Sequence, residues 1–425
     1  MQPSVSLDLL SDHFSTLVST PCSDPVTVPL GPSSMRDLVE FQPVSADTVH
    51  RLLAKLDSTK AGDPDDINPS LLKALALQLS PSLTVLFNCS LTLGKVPSAF
   101  IQANIYPLLK PGKDPAHAAS YRGLSLTSTL SKVLESIVRE QICSFFAPHD
   151  LFSDQQFGFR QGHSCEDLLL ATVDQWQVAL NKGQSIAVAF LDLTKAFDNV
   201  QHDVLLQDLL LHHISGRALA WIADYLSQRT QRVLCDGKHS QSMPVQKGVP
   251  QGSVLGPILF NLYVSHLPGV VSEVKIPSYA DDVIVYAISH SLSNSASLVS
   301  KAVSDIGLDL QTRGLAINID KSSAMFLASA STDCSKFHVS FDSVHLNTVF
   351  STRLLGVVID NSLIWEEHIS FVMCKVAKKI GALQRVRRML GPQARKLFLT
   401  PVIFPELDYC SSVFGCGVRV SDFAP

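Results

Sequence analysis

Two adjacent acids sit inside an apolar run: within residues 276–287, Asp281 and Asp282 follow Tyr279-Ala280 and precede Val-Ile-Val-Tyr, and the run contains no Lys or Arg. Val, Ile and Tyr favour a pleated, half-buried strand, so the acids fall at or near a tight hairpin. Two carboxylates about 5 Å apart at an effective dielectric of roughly 20 repel by on the order of 3 kcal/mol, which raises a pKa or demands a cation. A solvated turn is the plain alternative, since Asp is a common turn residue. The rest of the chain has to decide between the two.

With 425 residues, 46% of them hydrophobic, the chain buries a large core, in about two or three lobes. The formal net charge of -4 argues mildly against a nucleic-acid partner, because phosphate binding shows as basic excess. Local distribution argues the other way. Lys375, Lys378, Lys379, Arg385, Arg387, Arg388, Arg395 and Lys396 follow one another without an intervening acid. The 9 cysteines are scattered and lack a C-x-x-C pair, so neither a disulfide framework nor a zinc site is indicated. That usage fits a reducing compartment, and residues 1–14 lack the pattern of a secretory signal. The expectation is an intracellular protein, nuclear or cytoplasmic. The longest uncharged stretch, residues 248–272, carries Pro250, Gln251, Pro257, Asn261, His266 and Pro268. Hydrocarbon accepts these poorly, so the stretch reads as a buried loop and helix, with no membrane partner.

Along the chain, residues 1–41 are rich in Ser, Pro and Thr and are expected to be a poorly ordered lead-in. Helical periodicity marks 46–57, 71–93, 127–146 and 166–180, with loops at 110–121 and 156–162. In the central third, strands are expected at 185–193, 274–278, 283–287 and 315–319. Helices are expected at 254–266 and where Val299, Val303, Ile306 and Leu310 fall in phase. Setting aside a helical insertion at 204–226, the order is β-α-β-β-α-β, a split βαβ arrangement with an antiparallel sheet backed by two helices. In that topology the strand ending at Asp192 runs beside the hairpin bearing Asp281 and Asp282. Side chains alternate across a strand, so one of the paired acids joins Asp192 and the other lies off axis. Such a cluster is stable when partly protonated or loaded with divalent metal. Two such ions can clamp the attacking and leaving oxygens of a phosphoryl transfer.

Three segments then resemble a known family: Leu-Asp-Leu-Thr-Lys-Ala-Phe-Asp at 191–198, Lys-Gly-Val-Pro-Gln-Gly-Ser-Val-Leu-Gly-Pro-Ile-Leu-Phe at 247–260, and Tyr-Ala-Asp-Asp at 279–282. In this order and spacing they resemble the reverse transcriptase of non-LTR retrotransposons, the LINE type. Tyr121-Arg122, the Phe-Gly-Phe-Arg-Gln-Gly-His-Ser run at 157–164, residues 314–321, and Leu355-Gly356-Val357 with Trp365 and His368 extend the likeness over roughly 41–415.

The resemblance implies an α+β right-hand polymerase: fingers with a helical extension over 42–182, palm over 183–360 and a partial helical thumb over 361–425. It implies two Mg²⁺ ions, with Mn²⁺ as a substitute, on Asp192 and Asp281, with Asp282 assisting. Lys321 would protonate the leaving pyrophosphate. Nucleotide contacts fall to Lys110, Arg122, Phe197, Gln251 and Gly252, with the Phe197 ring excluding a ribose 2′ hydroxyl. Leu355 and Gly356 match a primer grip, and Arg160, Lys378, Lys379, Arg385 and Arg388 would meet nucleic-acid backbones. The implied partners are an RNA template, a DNA primer and deoxynucleoside triphosphates; no protein partner is implied. Each residue also has a plain reading: a core Phe for Phe197, a tight turn for Gln251-Gly252, a β-turn for Leu355-Gly356, and solvated charges for Lys110, Arg122 and Lys321. Two positions depart from the family pattern, Asp66 where a Gly is usual and Gly123 where a Pro is usual, the second suggesting a looser loop. With no room for an endonuclease in 1–41 and an end at Pro425, the expectation is a truncated copy. The rival reading is a catalytically inactive RNA-binding relic.

Overall fold

The structure is a computed structural model, and it describes residues 5–19, 37–59, 64, 65, 67–149, 151–329 and 332–415. Asp66 lies outside the described residues. The fold is mixed α and β, divided into two compact units that each draw on separated stretches of chain.

The first unit comprises Met1–Ser153, Lys195–His266 and Gln311–Leu315. Its sheet pairs Gln102–Leu109 antiparallel with Tyr121–Thr127 and parallel with Thr230–Cys235. Helix Leu7–Val18 packs on this sheet where sequence composition predicts a disordered lead-in. Ser6 caps it by accepting from the Leu9 amide, and Leu10, Phe14 and Val18 fall four residues apart on the buried side. Leu10 and Phe14 join Ile105, Tyr121 and Val233 in one apolar cluster. The absent side chain of Gly123 makes room for that helix: a Cβ there would stand 2.9 Å from Ile105 and 3.1 Å from the Phe14 ring. The position is therefore packed, and the looser loop expected there is not what the fold contains.

Helix Ala76–Leu93 is the one helix among the described residues long and apolar enough to cross a membrane. In this unit it is tied down by polar bonds: Asn88 exchanges two hydrogen bonds with the Val44 backbone, and Ser90 Oγ accepts from Trp221 Nε1 at 3.0 Å. Glu135, on helix Thr129–His149, is buried, and its carboxylate accepts from the Val254 and Leu255 amides at 2.7 and 3.1 Å. A carboxylate at the start of helix Gly256–Val264 satisfies donors that the helix itself cannot use.

The second unit comprises Asp154–Thr194, Leu267–Leu310 and Ala316–Pro425. Its sheet runs in the order Asn347–Thr348, Ser323–Leu327, Ser185–Asp192, Asp282–Ser289, Ser278–Tyr279. The central strand, Ser185–Asp192, is antiparallel to both long neighbours and buried along nearly its whole length, which is why it reads as a continuous apolar run. Ile186, Val188 and Phe190 alternate onto one face. There they pack with Leu168, Leu169, Val173 and Trp176 of helix Cys165–Asn181, a helix that a Ser164–Asp167 capping box starts. The strand expected at 315–319 falls later, at Ser323–Leu327. Ile317 makes a single bridge to Leu193, after which the Lys321 and Ser322 amides turn back to the Asn318 carbonyl.

The 156–162 loop braces the acid-bearing hairpin. Phe157 N donates to Ser278 O at 2.9 Å and Ser278 N to Gln155 O at 2.8 Å, adding a short stretch of backbone beside Ser278–Tyr279. Gly158 is pressed so close that a Cβ would lie 2.5 Å from the Ala280 nitrogen. Gly158→Ala is therefore expected to lower stability by about 1–3 kcal/mol, the usual cost of overpacking. Urea unfolding followed by tryptophan fluorescence measures this, and an unchanged midpoint would show that the loop does not press on the hairpin.

Candidate active site

In the second unit the sequence places the acids at the end of the central strand and the start of its neighbour. Asp192 is directly opposite Asp282 in the antiparallel ladder, so the two side chains share a face. Asp281 occupies the two-residue turn before it, since Tyr279 pairs with Asp282 and Ala280 takes a left-handed φ of 58°. The register thus sets Asp282, not Asp281, across from Asp192. Partial burial, then the charges of Asp281 and Asp192, push the Asp282 carboxyl up to about 6, although the residue as a whole keeps solvent exposure.

Asp192 is fixed through its backbone, its amide donating to Ser322 Oγ at 3.1 Å and its carbonyl accepting from Asn318 N at 2.8 Å. Lys321 Nζ reaches Asp192 Oδ2 at 3.4 Å, so this lysine does sit at the acids. Being largely exposed, the pair contributes little to stability. Among the described residues, no group of three or more His, Cys, Asp or Glu side chains that could hold a metal ion is formed. The chemistry of the donors nevertheless fits a hard cation. Mg²⁺ takes one or two carboxylates and completes its shell with water and substrate phosphates, and Asp192, Asp281 and Asp282 supply carboxylates at this end of the sheet.

A second group of predicted residues lies in the first unit. Arg122 Nε donates to Gln251 Oε1 at 3.2 Å, and Gln251 Nε2 donates to Asp198 Oδ1 at 2.8 Å. The Gln251 carbonyl accepts from Ser125 N at 2.9 Å, and Gly252 follows with a φ of 115°, where a Cβ would lie 2.7 Å from Ser125 O. Phe197 is half-buried and stacks on Phe260, centroids 4.5 Å apart. Burial holds the Asp198 carboxyl above the usual range, opposed by the Gln251 bond and by Lys195, Arg122 and Lys247. Lys247 Nζ in turn donates to Asn199 Oδ1 at 3.0 Å. Asp198, Asn199 and Lys247 are members of this network that sequence reasoning did not single out, although Asp198 and Lys247 stand within the quoted motifs. Lys110 donates from Nζ to Ala119 O at 2.9 Å within the loop that follows its own strand.

The remaining predicted residues lie in the second unit. Leu355 and Gly356, with φ values of 46° and 90°, form the tight turn between Ser351–Leu354 and Val357–Asp360, and Tyr409 OH donates to Leu355 O at 2.8 Å. Lys378 and Arg385 on helix Glu366–Val386, and Arg388 in the turn after it, are exposed, as a backbone-contacting face requires. Lys379 differs: it donates to Glu406 Oε1 at 2.7 Å and to Val402 O at 3.0 Å, so its charge is already matched. The acid that matches it lies beyond the acid-free segment. Arg160 has a largely buried side chain beside Asp154, 4.0 Å away, and offers little surface to a polyanion.

Residues 109–362 match the family described as reverse transcriptase (RNA-dependent DNA polymerase). The chain is 28% identical over 387 residues to the RNA-directed DNA polymerase from mobile element jockey of Drosophila funebris, covering 89% of this chain and 42% of that protein. It is 26% identical over 386 residues to the jockey polymerase of Drosophila melanogaster, again covering 42% of that protein and 88% of this chain. A retrovirus-related Pol polyprotein from type-1 retrotransposable element R2 of Popillia japonica is 24% identical over 254 residues, covering 57% of this chain and 34% of that protein. The chain thus spans about two fifths of the length of the first two relatives.

A carboxyl raised above its unfolded value of about 3.9 binds more protons when folded, so its charge destabilises the fold as pH rises through about 6. With a chelator present, Asp282→Asn is expected to stabilise the chain at pH 7.5 by about 1 kcal/mol, a figure already discounted for solvent screening. The gain should fade below about pH 4, where the wild-type acid is protonated in both states. Denaturant melts of both proteins across this range provide the check, and a gain independent of pH would mean that burial and the neighbouring charges do not raise the Asp282 carboxyl.

Proposed function

The chain belongs to the reverse transcriptase family, and from this premise we propose that it is an RNA-directed DNA polymerase of the non-LTR, LINE type, extending a DNA primer on an RNA template with deoxynucleoside triphosphates. The reaction joins the primer 3′ oxygen to the nucleotide α-phosphorus and breaks the bond to the departing pyrophosphate, with positioning and charge stabilisation supplying most of the catalysis. The observation that carries this reading is the pairing of Asp192 with Asp282 at a sheet end, where partial burial, then the charges of Asp281 and Asp192, raise the Asp282 carboxyl to about 6.

In the right-hand reading, the sheet of the second unit is the palm, helix Glu366–Val386 begins the thumb, and the first unit's sheet belongs to the fingers. Asp192 and Asp281, with Asp282 beside them, would hold two Mg²⁺ ions, which when bound offset the negative charge developing on the attacking and leaving oxygens. Lys321, on Asp192, carries the proton for the leaving group. Within the first unit, Arg122 and Lys110 offer cations to a triphosphate. The Arg122–Gln251–Asp198 chain fixes the amide of Gln251, and the Gly252 turn lets backbone approach closely. Phe197, held by its stack on Phe260, presents a fixed ring to the sugar. Exposed Lys378, Arg385 and Arg388 give a salt-sensitive grip on backbone phosphates.

Primer extension on an RNA template with Mg²⁺ tests this. Asp192→Asn and Asp281→Asn should each reduce extension by at least about a thousandfold while leaving the fold intact. Activity that survives either change would reject the metal assignment. Phe197→Ala should admit ribonucleotides, and unchanged sugar discrimination would remove the gate from Phe197.

A further inference from the structure

Two cysteines that stand far apart in the sequence of the second unit meet in its fold. Cys165 opens helix Cys165–Asn181, directly after the Ser164 cap. Cys410 is 2% exposed and belongs to the same apolar cluster as Leu168, Leu169 and Val173 of that helix. The short helix Ser411–Gly415, which follows Cys410, packs on helix Cys165–Asn181. Ser412 fastens the two: its Oγ donates to Glu166 Oε1 at 2.6 Å, and its amide donates to the same oxygen at 3.3 Å. The residue after one cysteine is thus bonded to the second residue after the other.

Tyr409 joins the two thiols. Its OH donates to Leu355 O at 2.8 Å, which leaves the phenol oxygen to accept, and the side chains of Cys165 and Cys410 both lie within hydrogen-bonding range of it. Tyr279 meets Cys165 from the hairpin. A disulfide needs the backbones close as well as the sulfurs, and the Ser412–Glu166 bonds hold the two chain segments together beside the shared phenol.

The thiols differ in access. Cys165 is partly exposed and Cys410 is buried. Burial, with the charges of Glu166 and Cys165, pushes the Cys410 thiol up to about 11 against the pull of the Tyr409 bond, so this thiol stays protonated at neutral pH. An oxidant from solution therefore meets Cys165 first. We propose that Cys165 and Cys410 form a dithiol modification site, a reversible redox clamp closed by a small-molecule disulfide of the glutathione class. The Cys165 thiolate attacks one sulfur of the oxidant, making a mixed disulfide and releasing one thiol. Cys410 then gives its proton to solvent and attacks the Cys165 sulfur; the bond to the remaining half of the oxidant breaks and a second thiol leaves. The two cysteines lose two electrons and two protons, and the oxidant disulfide is reduced to two thiols. The clamp ties the segment bearing Tyr409 to helix Cys165–Asn181, and Tyr409 packs on the Leu355-Gly356 turn, where a Cβ on Gly356 would lie 3.1 Å from its ring.

The test exposes the full folded chain, without nucleic acid, to oxidised glutathione, quenches by alkylation at intervals and maps every cysteine by mass spectrometry. A glutathione adduct on Cys165 should appear first and decay into a Cys165–Cys410 disulfide, while adducts on the exposed Cys89 and Cys374 persist. Cys410→Ala should trap the Cys165 adduct at a level at least about tenfold above that of the wild type. Cys165→Ser, a change at a partly exposed position that decides the matter even where Cys410→Ala fails to fold, should lose the disulfide and leave Cys410 unmodified. Oxidation should raise the thermal midpoint of the wild type and not that of Cys165→Ser, and dithiothreitol should reverse the gain. No reaction at Cys165, a wild-type Cys165 adduct that persists, or a bridge from Cys165 to any other cysteine overturns the proposal. An oxidised wild type that melts where the reduced chain does removes the clamp. No polymerisation is measured, so failure here is distinct from failure of the proposed activity.

Discussion

Everything at the acid end of the second unit depends on the register between the central strand and its neighbour. Asp192 faces Asp282 because the pairs from Ser185 with Ser289 onward stay in step to the last residue. A slip of one position would turn Asp282 to the opposite face and put the core residues Ile284 and Tyr286 on the wrong side. Register is strongly specified here because both faces of the strand are buried. Ile186, Val188 and Phe190 have one set of partners, and Ala187 and Ala189 are sealed on the other side. Each fully buried aliphatic side chain contributes about 1.5–3 kcal/mol, so a few of them outweigh carboxylate repulsion of the size inferred for Asp282.

The same argument accounts for strain around the hairpin. Ala280 at φ 58° costs roughly 1–2 kcal/mol relative to an ordinary conformation, and Gly158 is packed against its nitrogen. Neither would persist in an isolated hairpin. Both are held because backbone bonds from Gln155 and Phe157 fasten Ser278, while helix Cys165–Asn181, which follows the same loop, delivers Trp176 edge-on to Tyr286. One short stretch of sequence therefore braces the turn and covers the sheet.

The acids, the hairpin and the helical periods were legible because each rests on local chemistry: a charge in an apolar run, an alternation of two, a spacing of three or four. Helix Glu366–Val386 and helix Leu292–Thr312 are of this kind. What escaped needed a distant partner. The helix from Leu7 has a local cap at Ser6, but the Ser, Pro and Thr of the surrounding stretch hide it and its apolar side gains a surface only from Ile105, Tyr121 and Val233, while Gly123 reads as a loosened loop until Phe14 covers it. Lys379 reads as a solvated cation until Glu406, which a gap of 27 residues separates from it, matches its charge. The strand at Ser323–Leu327 was displaced from its expected position because apolar letters at 315–317 do not reveal the Asn318 turn.

Two kinds of polar arrangement now separate cleanly. In the first unit, Arg122, Gln251 and Asp198 hand hydrogen bonds along a chain in which each amide group of Gln251 is used, an arrangement that fixes side-chain orientation. In the second unit, by contrast, Asp192, Asp281 and Asp282 crowd at one end of the sheet, and burial together with the neighbouring charges raises the Asp282 carboxyl to about 6. Carboxylates gathered in this way are complementary to a hard cation, which the hydrogen-bonded chain of the first unit is not. The sheet end tolerates that crowding because the apolar core that sets the register, which runs from Ile186, Val188 and Phe190 to Leu354 and Val357, outweighs it.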